Sequence, residues 1–157
     1  MSAYSIADLE SYISRFYQGR PLLITPYAYT LTFTPTQLPA AGTNSQVINI
    51  AANADFVATE FAFHTYSGTP TSQTTANEDI PFLRMLVTDS GSNEQFTNSA
   101  VDINTYASRE SFLRPLPYPR IVSGRSTLTV QLTNYSTTVA YGVDVVLNGV
   151  LVRAYSK

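Results

Sequence analysis

No cysteine occurs anywhere in the 157 residues, which removes disulfides, thiolate metal sites and cysteine nucleophiles together. His64 is the single histidine, so triads that need a second imidazole and most zinc sites are excluded as well. Tryptophan is absent, and with it the largest face for stacking on a sugar ring. Charge is scarce, at 13% of residues, about half the usual ~25%. Nine Lys and Arg against eleven Asp and Glu leave a net charge of −2, with no basic field to draw a phosphate backbone. Nucleic acid is therefore not an expected partner. No apolar run approaches the ~20 residues that span a bilayer. The Met1–Ser5 start lacks the basic and apolar regions of a secretion signal. Neither a membrane nor a cofactor is expected. The seven glycines lie too far apart for a phosphate loop or a nucleophile elbow.

What replaces charge is Thr, Ser and Asn, with eleven Tyr and eight Phe. Thr and the aromatics favour strands, while Asn and Ser favour turns, so the composition suits short strands joined by many loops. A surface poor in charge and rich in aromatics also has the make-up of a protein contact patch. The length fits one domain able to bury its own core.

Residues 5–18 form the one strong helix signal. Ser5 is placed to cap it, with Asp8 completing a capping box. Ile6, Leu9, Ile13 and Phe16 share one stripe, while Gly19 suits the C′ position and Pro21 stops the helix. Such a helix either packs on its own domain or docks on a neighbouring subunit. Beyond it the apolar period becomes two. Tyr27–Phe33, Val47–Ile50, Phe56–Tyr66, Leu83–Val87, Val101–Tyr106 and Thr127–Thr133 read as strands, with Pro26 at a strand start or sheet edge. Val57, Phe61 and Phe63 are expected on one face of their strand, and Glu60 and His64 on the other. Residues 67–79 read as a long polar loop. Pro115, Pro117 and Pro119 cannot donate to a ladder, so residues 112–121 read as an extended connection. Asn148-Gly149 between Val143–Leu147 and Val150–Val152 reads as a type I′ hairpin. The sum is an all-β chain of about seven to nine short strands, an antiparallel β-sandwich or jelly roll (residues 21–157) behind an N-terminal helical arm (residues 1–20).

Catalytic constellations are hard to assemble. Asp55 with Glu60, Glu78 with Asp79, and Asp89 with Glu94 are the available carboxylate pairs, and none is expected to converge on a substrate. Asp89–Glu94 is oxygen-rich but lacks the spacing of a calcium loop and reads as a β-turn. No catalytic or metal residue is expected, and the chain is read as a non-enzyme.

From about Phe82 to Tyr155 the motifs follow a recognisable order. A strand ends in Val-Thr-Asp-Ser-Gly. Then come Phe-Leu-Arg-Pro-Leu-Pro-Tyr-Pro-Arg-Ile-Val and Ser-Gly-Arg-Ser-Thr-Leu-Thr-Val-Gln-Leu-Thr-Asn-Tyr-Ser, with Val-Asp-Val-Val-Leu-Asn-Gly near the end. This half of the chain resembles the small β-sandwich accessory head proteins of tailed bacteriophages, which decorate or cement the capsid. The resemblance implies a virion protein made in the host cytoplasm. It would bind the outside of the major capsid protein lattice as a homo-oligomer, with a trimer favoured. The residues then expected to make contact are Ile6, Leu9, Ile13, Phe16 and Tyr17 of the arm and Pro115, Pro117, Tyr118 and Pro119 of the proline-rich segment. A neck, tail or fibre-attachment protein is the nearest alternative. A carbohydrate-binding module is the alternative of a different class, with Tyr66, Tyr106, Tyr118 and Tyr135 as stacking candidates.

Overall fold

A computed structural model describes residues 5–67, 81–109 and 115–155. The chain begins with α1 (Ile6–Phe16) and runs through β1 (Leu22–Phe33), β2 (Thr43–Asn49), β3 (Asp55–Ser67) and β4 (Leu83–Asp89). Short pieces follow: β5 (Glu94–Gln95), β6 (Val101–Asp102), α2 (Ile103–Tyr106) and β7 (Ser108–Arg109). It ends with β8 (Pro115–Val122), β9 (Thr127–Asn134) and β10 (Tyr141–Ala154). The weak strand signal at 101–106 thus resolves into two strand residues and one helical turn, with the Asp102 carboxylate capping α2 at Asn104 N–H.

One sheet has the order β1-β10-β3, with β7 and β8 both along the free side of β3; the other has β2-β9-β4, with β5 and β6 along β4. The pairing is nested: β1 with β10, β2 with β9, β3 with β8 and β4 with β6, each antiparallel. A doubled ribbon wound across two sheets in this way is a jelly roll. Its cause is visible in β9, where Leu128, Val130 and Leu132 are buried and the Thr and Gln between them are not. The inner faces of both sheets supply one core, including Phe33, Phe56, Phe61, Phe63, Leu83, Met85, Leu132 and Leu147.

Three sequence expectations are corrected. The Asn148-Gly149 hairpin does not form, because β10 runs straight through both residues, paired with β1 on one side and β3 on the other. Gly149 does not have the positive φ that a type I′ turn needs. It is required for closeness instead, since a Cβ there would sit 2.0 Å from the Val57 carbonyl oxygen. Opposite it the register slips, leaving Thr59 of β3 as an extra residue whose hydroxyl donates to Asn148 O at 3.1 Å. That bulge reverses side-chain parity. Phe56 and Ala58 therefore join Phe61 and Phe63 inside, and Val57 faces outward, opposite to expectation. Finally, residues 115–122 are an edge strand rather than a connection. The β3 register jumps from Arg120 to Pro115, so Leu116–Pro119 leave the ladder where prolines have no N–H to give.

Candidate functional site

The outer face of the β1-β10-β3 sheet carries a second, smaller core. Val57 and Val152 are buried there under Ile13 of α1, with Leu9, Tyr12, Tyr17, Leu22, Ile24, Ile121 and Val150 packed around them. The helix starts where expected. Ser5 Oγ accepts the Asp8 N–H at 3.0 Å, and the Asp8 carboxylate accepts the Ser5 N–H at 3.3 Å. It ends one residue earlier than Gly19 suggested. Gln18 already adopts φ 56°, and Gly19 N–H reaches back to Ser14 O at 2.8 Å, which closes a Schellman turn. Tyr17 then anchors the exit. Its hydroxyl donates to Asp55 Oδ2, while Asp55 Oδ1 accepts the Gly124 N–H at 2.7 Å. Burial, and then the hydrogen bond and charge of Asp55, push the Tyr17 phenol well above its usual range.

The nine expected contact residues therefore divide. Ile13 is fully buried, Leu9 and Tyr17 belong to the second core, Pro119 is buried and Pro115 half-buried. Ile6, Phe16, Pro117 and Tyr118 remain exposed, Tyr118 at 79% and Phe16 at 58%. Tyr118 projects because Leu116 is buried on one side of it and Pro119 on the other. The two segments, a hundred residues apart in the chain, meet. Phe16 and Tyr12 of α1, Tyr118 to Ile121 of β8, and Asp89, Ser92 and Glu94 line one groove of about 330 Å³. Arg120 is part of its lining, 3.0 Å from Glu94 and stacked 4.3 Å from the centre of the Phe96 ring. Tyr12, Arg120 and Glu94 were not among the expected contact residues. Tyr12 was legible as the i−4 neighbour of Phe16, but the Arg120–Glu94 pair is made only by the fold.

No family model, curated protein or solved structure matches this chain. Its site is therefore read from its own residues.

The remaining candidate groups are occupied locally. Asp89 is buried, with one oxygen on the Gly91 N–H at 2.8 Å and the other on the Ser92 hydroxyl at 3.1 Å, so it builds its own turn. Glu60 accepts Asn148 Nδ2 at 2.8 Å, apart from Asp55. His64 is half-buried opposite Phe61 and Phe63, in register with Asp144. Among the described residues no group of three His, Asp or Glu is placed to hold a metal. Of the sugar-stacking candidates, Tyr106 packs on Phe61 with centroids 5.7 Å apart, and Tyr66 is half-buried over Gly142. Tyr118 and Tyr135 are the exposed ones. The polar loop at 67–79 lies outside the described residues beyond Ser67, and with it the Glu78–Asp79 pair. Residues 112–114 lie outside them too.

Proposed function

We propose that this chain is a structural protein of a virus particle, a cement or decoration protein that works by contact on the outside of the capsid. The observation that carries the reading is the meeting of exposed Phe16 and Tyr118 across one groove. Contact centres are aromatic and poor in charge, and a few such side chains supply most of the binding energy. Both rings stand on elements tied to the sandwich, so little ordering is needed on binding. The capsid as partner comes from the sequence resemblance over Phe82–Tyr155. Jelly rolls recur in capsid and lectin domains, which is support by analogy only. In this role the chain is a homo-oligomer, with a trimer favoured, seated on the major capsid protein.

The test is a Phe16→Ser, Tyr118→Ser double variant of the full chain, mixed with undecorated capsids of the source particle and pelleted. Losing two central aromatics, at about 2 kcal/mol or more each, lowers affinity by roughly several hundred-fold. Unchanged occupancy overturns the proposal. Counting copies in purified particles by mass spectrometry separates a head protein, present in hundreds, from a neck or tail protein, present in about six or twelve.

A further inference from the structure

At the end of the sandwich where β1 begins and β10 finishes, the α1 exit and the β2–β3 and β8–β9 turns surround a cavity of about 470 Å³. Three of the chain's nine basic residues line it: Arg20, Arg125 and Arg153. Among the described residues Asp55 is the one carboxylate in the wall, so three cations against one anion leave an excess of two positive charges among them, on a chain of net −2. Among the described residues, no ion pair or side-chain hydrogen bond engages any of the three guanidiniums. The Nε of Arg153 is moreover buried without a hydrogen-bond partner. Arginines on a domain end are commonly solvated singly. Three that share one concavity and repel one another need a different explanation. Asp55 does not supply it, because among the described residues it forms no ion pair with any of the three and accepts instead from the Tyr17 hydroxyl and the Gly124 N–H.

We infer that this cavity binds a phosphate dianion, free or as the head of a small phosphomonoester, between Arg20, Arg125 and Arg153. The charge decides for phosphate over a single carboxylate. A phosphomonoester carries about −1.5 to −2 and three acceptor oxygens near neutral pH, matching the local excess and the three guanidinium forks. The volume falls within the ~300–1,000 Å³ of ordinary small-molecule sites, which leaves room for an organic group behind the phosphate. The inference stands apart from the groove at Phe16 and Tyr118 and does not depend on where the chain acts.

Calorimetric titration of the full chain tests it, using inorganic phosphate, glycerol 3-phosphate and citrate at ionic strength matched with sodium chloride. Saturable single-site binding of one or both phosphates is expected. Tighter binding of the ester assigns a small-molecule ligand, and tighter binding of inorganic phosphate assigns the free ion. Arg20→Gln and Arg125→Gln, both at exposed positions, each loosen binding by about tenfold, the loss of one charge-assisted contact. Thermal unfolding without phosphate checks that these variants fold as the parent does. No saturable heat with either phosphate up to about 10 mM, a limit near −3 kcal/mol or weaker, overturns the inference. So does parental affinity in a variant carrying both Arg20→Gln and Arg125→Gln, and so does citrate binding as tightly as the phosphates.

Discussion

Replacing Gly149 by alanine puts a methyl 2.0 Å from the Val57 carbonyl oxygen, 2.9 Å from its carbon and 2.8 Å from Cζ of Phe56. The first distance is more than ~1 Å inside van der Waals contact. Neither partner yields easily. Val57 is paired with Val150 on one side and Ile121 on the other, and Phe56 is fully buried. Overpacking typically costs about 1–3 kcal/mol, and a clash with doubly paired backbone belongs at the top of that range. Against it stands a gain of about 0.4–1 kcal/mol from the stiffer unfolded chain. A net loss of about 2–3 kcal/mol lowers Tm by roughly 4–12 °C for a domain of this size. In urea, with a slope of about 2 kcal/mol per molar, the midpoint falls by roughly 1–1.5 M. Gly142→Ala is the control. The three atoms nearest its Cβ all belong to the Tyr66 side chain, the closest at 2.1 Å, and a half-buried side chain can turn aside where backbone cannot. The expected order is therefore a larger loss at Gly149 than at Gly142. A Gly149→Ala midpoint within about 2 °C of the parent, or equal losses at the two sites, would refute the close-approach account.

Ile13→Ala removes the buried centre of the second core and is expected to cost about 2–5 kcal/mol in urea unfolding. Hydrogen exchange should quicken in α1 before β9, because α1 packs on that cluster and β9 contributes no residue to it. Deleting residues 1–20 uncovers Val57, Val150 and Val152, so the truncated chain should unfold at lower temperature and aggregate on size-exclusion chromatography. Burial pushes the Tyr106 phenol up to about 12, with Arg120 pulling the other way. Below pH 10, the ordinary value of a tyrosine, folded and unfolded chains both keep that proton. Above it the unfolded chain ionises first, so stability falls as pH climbs from 10 towards about 12. Tyr106→Phe should flatten that fall in denaturant titrations at pH 9 to 12, and an unchanged slope would count against the assignment.

How much of this was legible in the sequence depends on whether a signal is local. β9 was, because a sheet with one face buried writes period two into its strand. So was α1, since Ser5 and Asp8 cap it within a single turn. Asn148-Gly149 misled because two different demands select the same residue, a positive φ in a hairpin and the absence of a Cβ where two backbones touch. The parity of Val57 was hidden by one extra residue, Thr59. Valine at 57 is apolar on either face, since α1 covers the outer one. The prolines at 115, 117 and 119 correctly excluded a central strand but said nothing against an edge. The groove and the arginine cavity were illegible for a plainer reason. Arg20, Arg125 and Arg153, like Phe16 and Tyr118, are neighbours only after the ribbon has wound.

The docking of α1 also changes what kind of contact this chain is able to make. Read from sequence, Ile6, Leu9, Ile13 and Phe16 were one stripe with one destination. The fold spends Leu9 and Ile13 on the sheet beneath and leaves Ile6 and Phe16 outside, so the helix is cover first and contact second. A free arm would reach across to a neighbour but would lose its freedom on arrival. A helix already capped by Ser5 and tied at its exit by Tyr17 to Asp55 has met that entropy cost in folding. Under the proposed function, a partner therefore comes to the face of the sandwich where Phe16 and Tyr118 stand. This is why substituting those two rings tests the contact more cleanly than deleting the arm, which would remove the surface and its support at once.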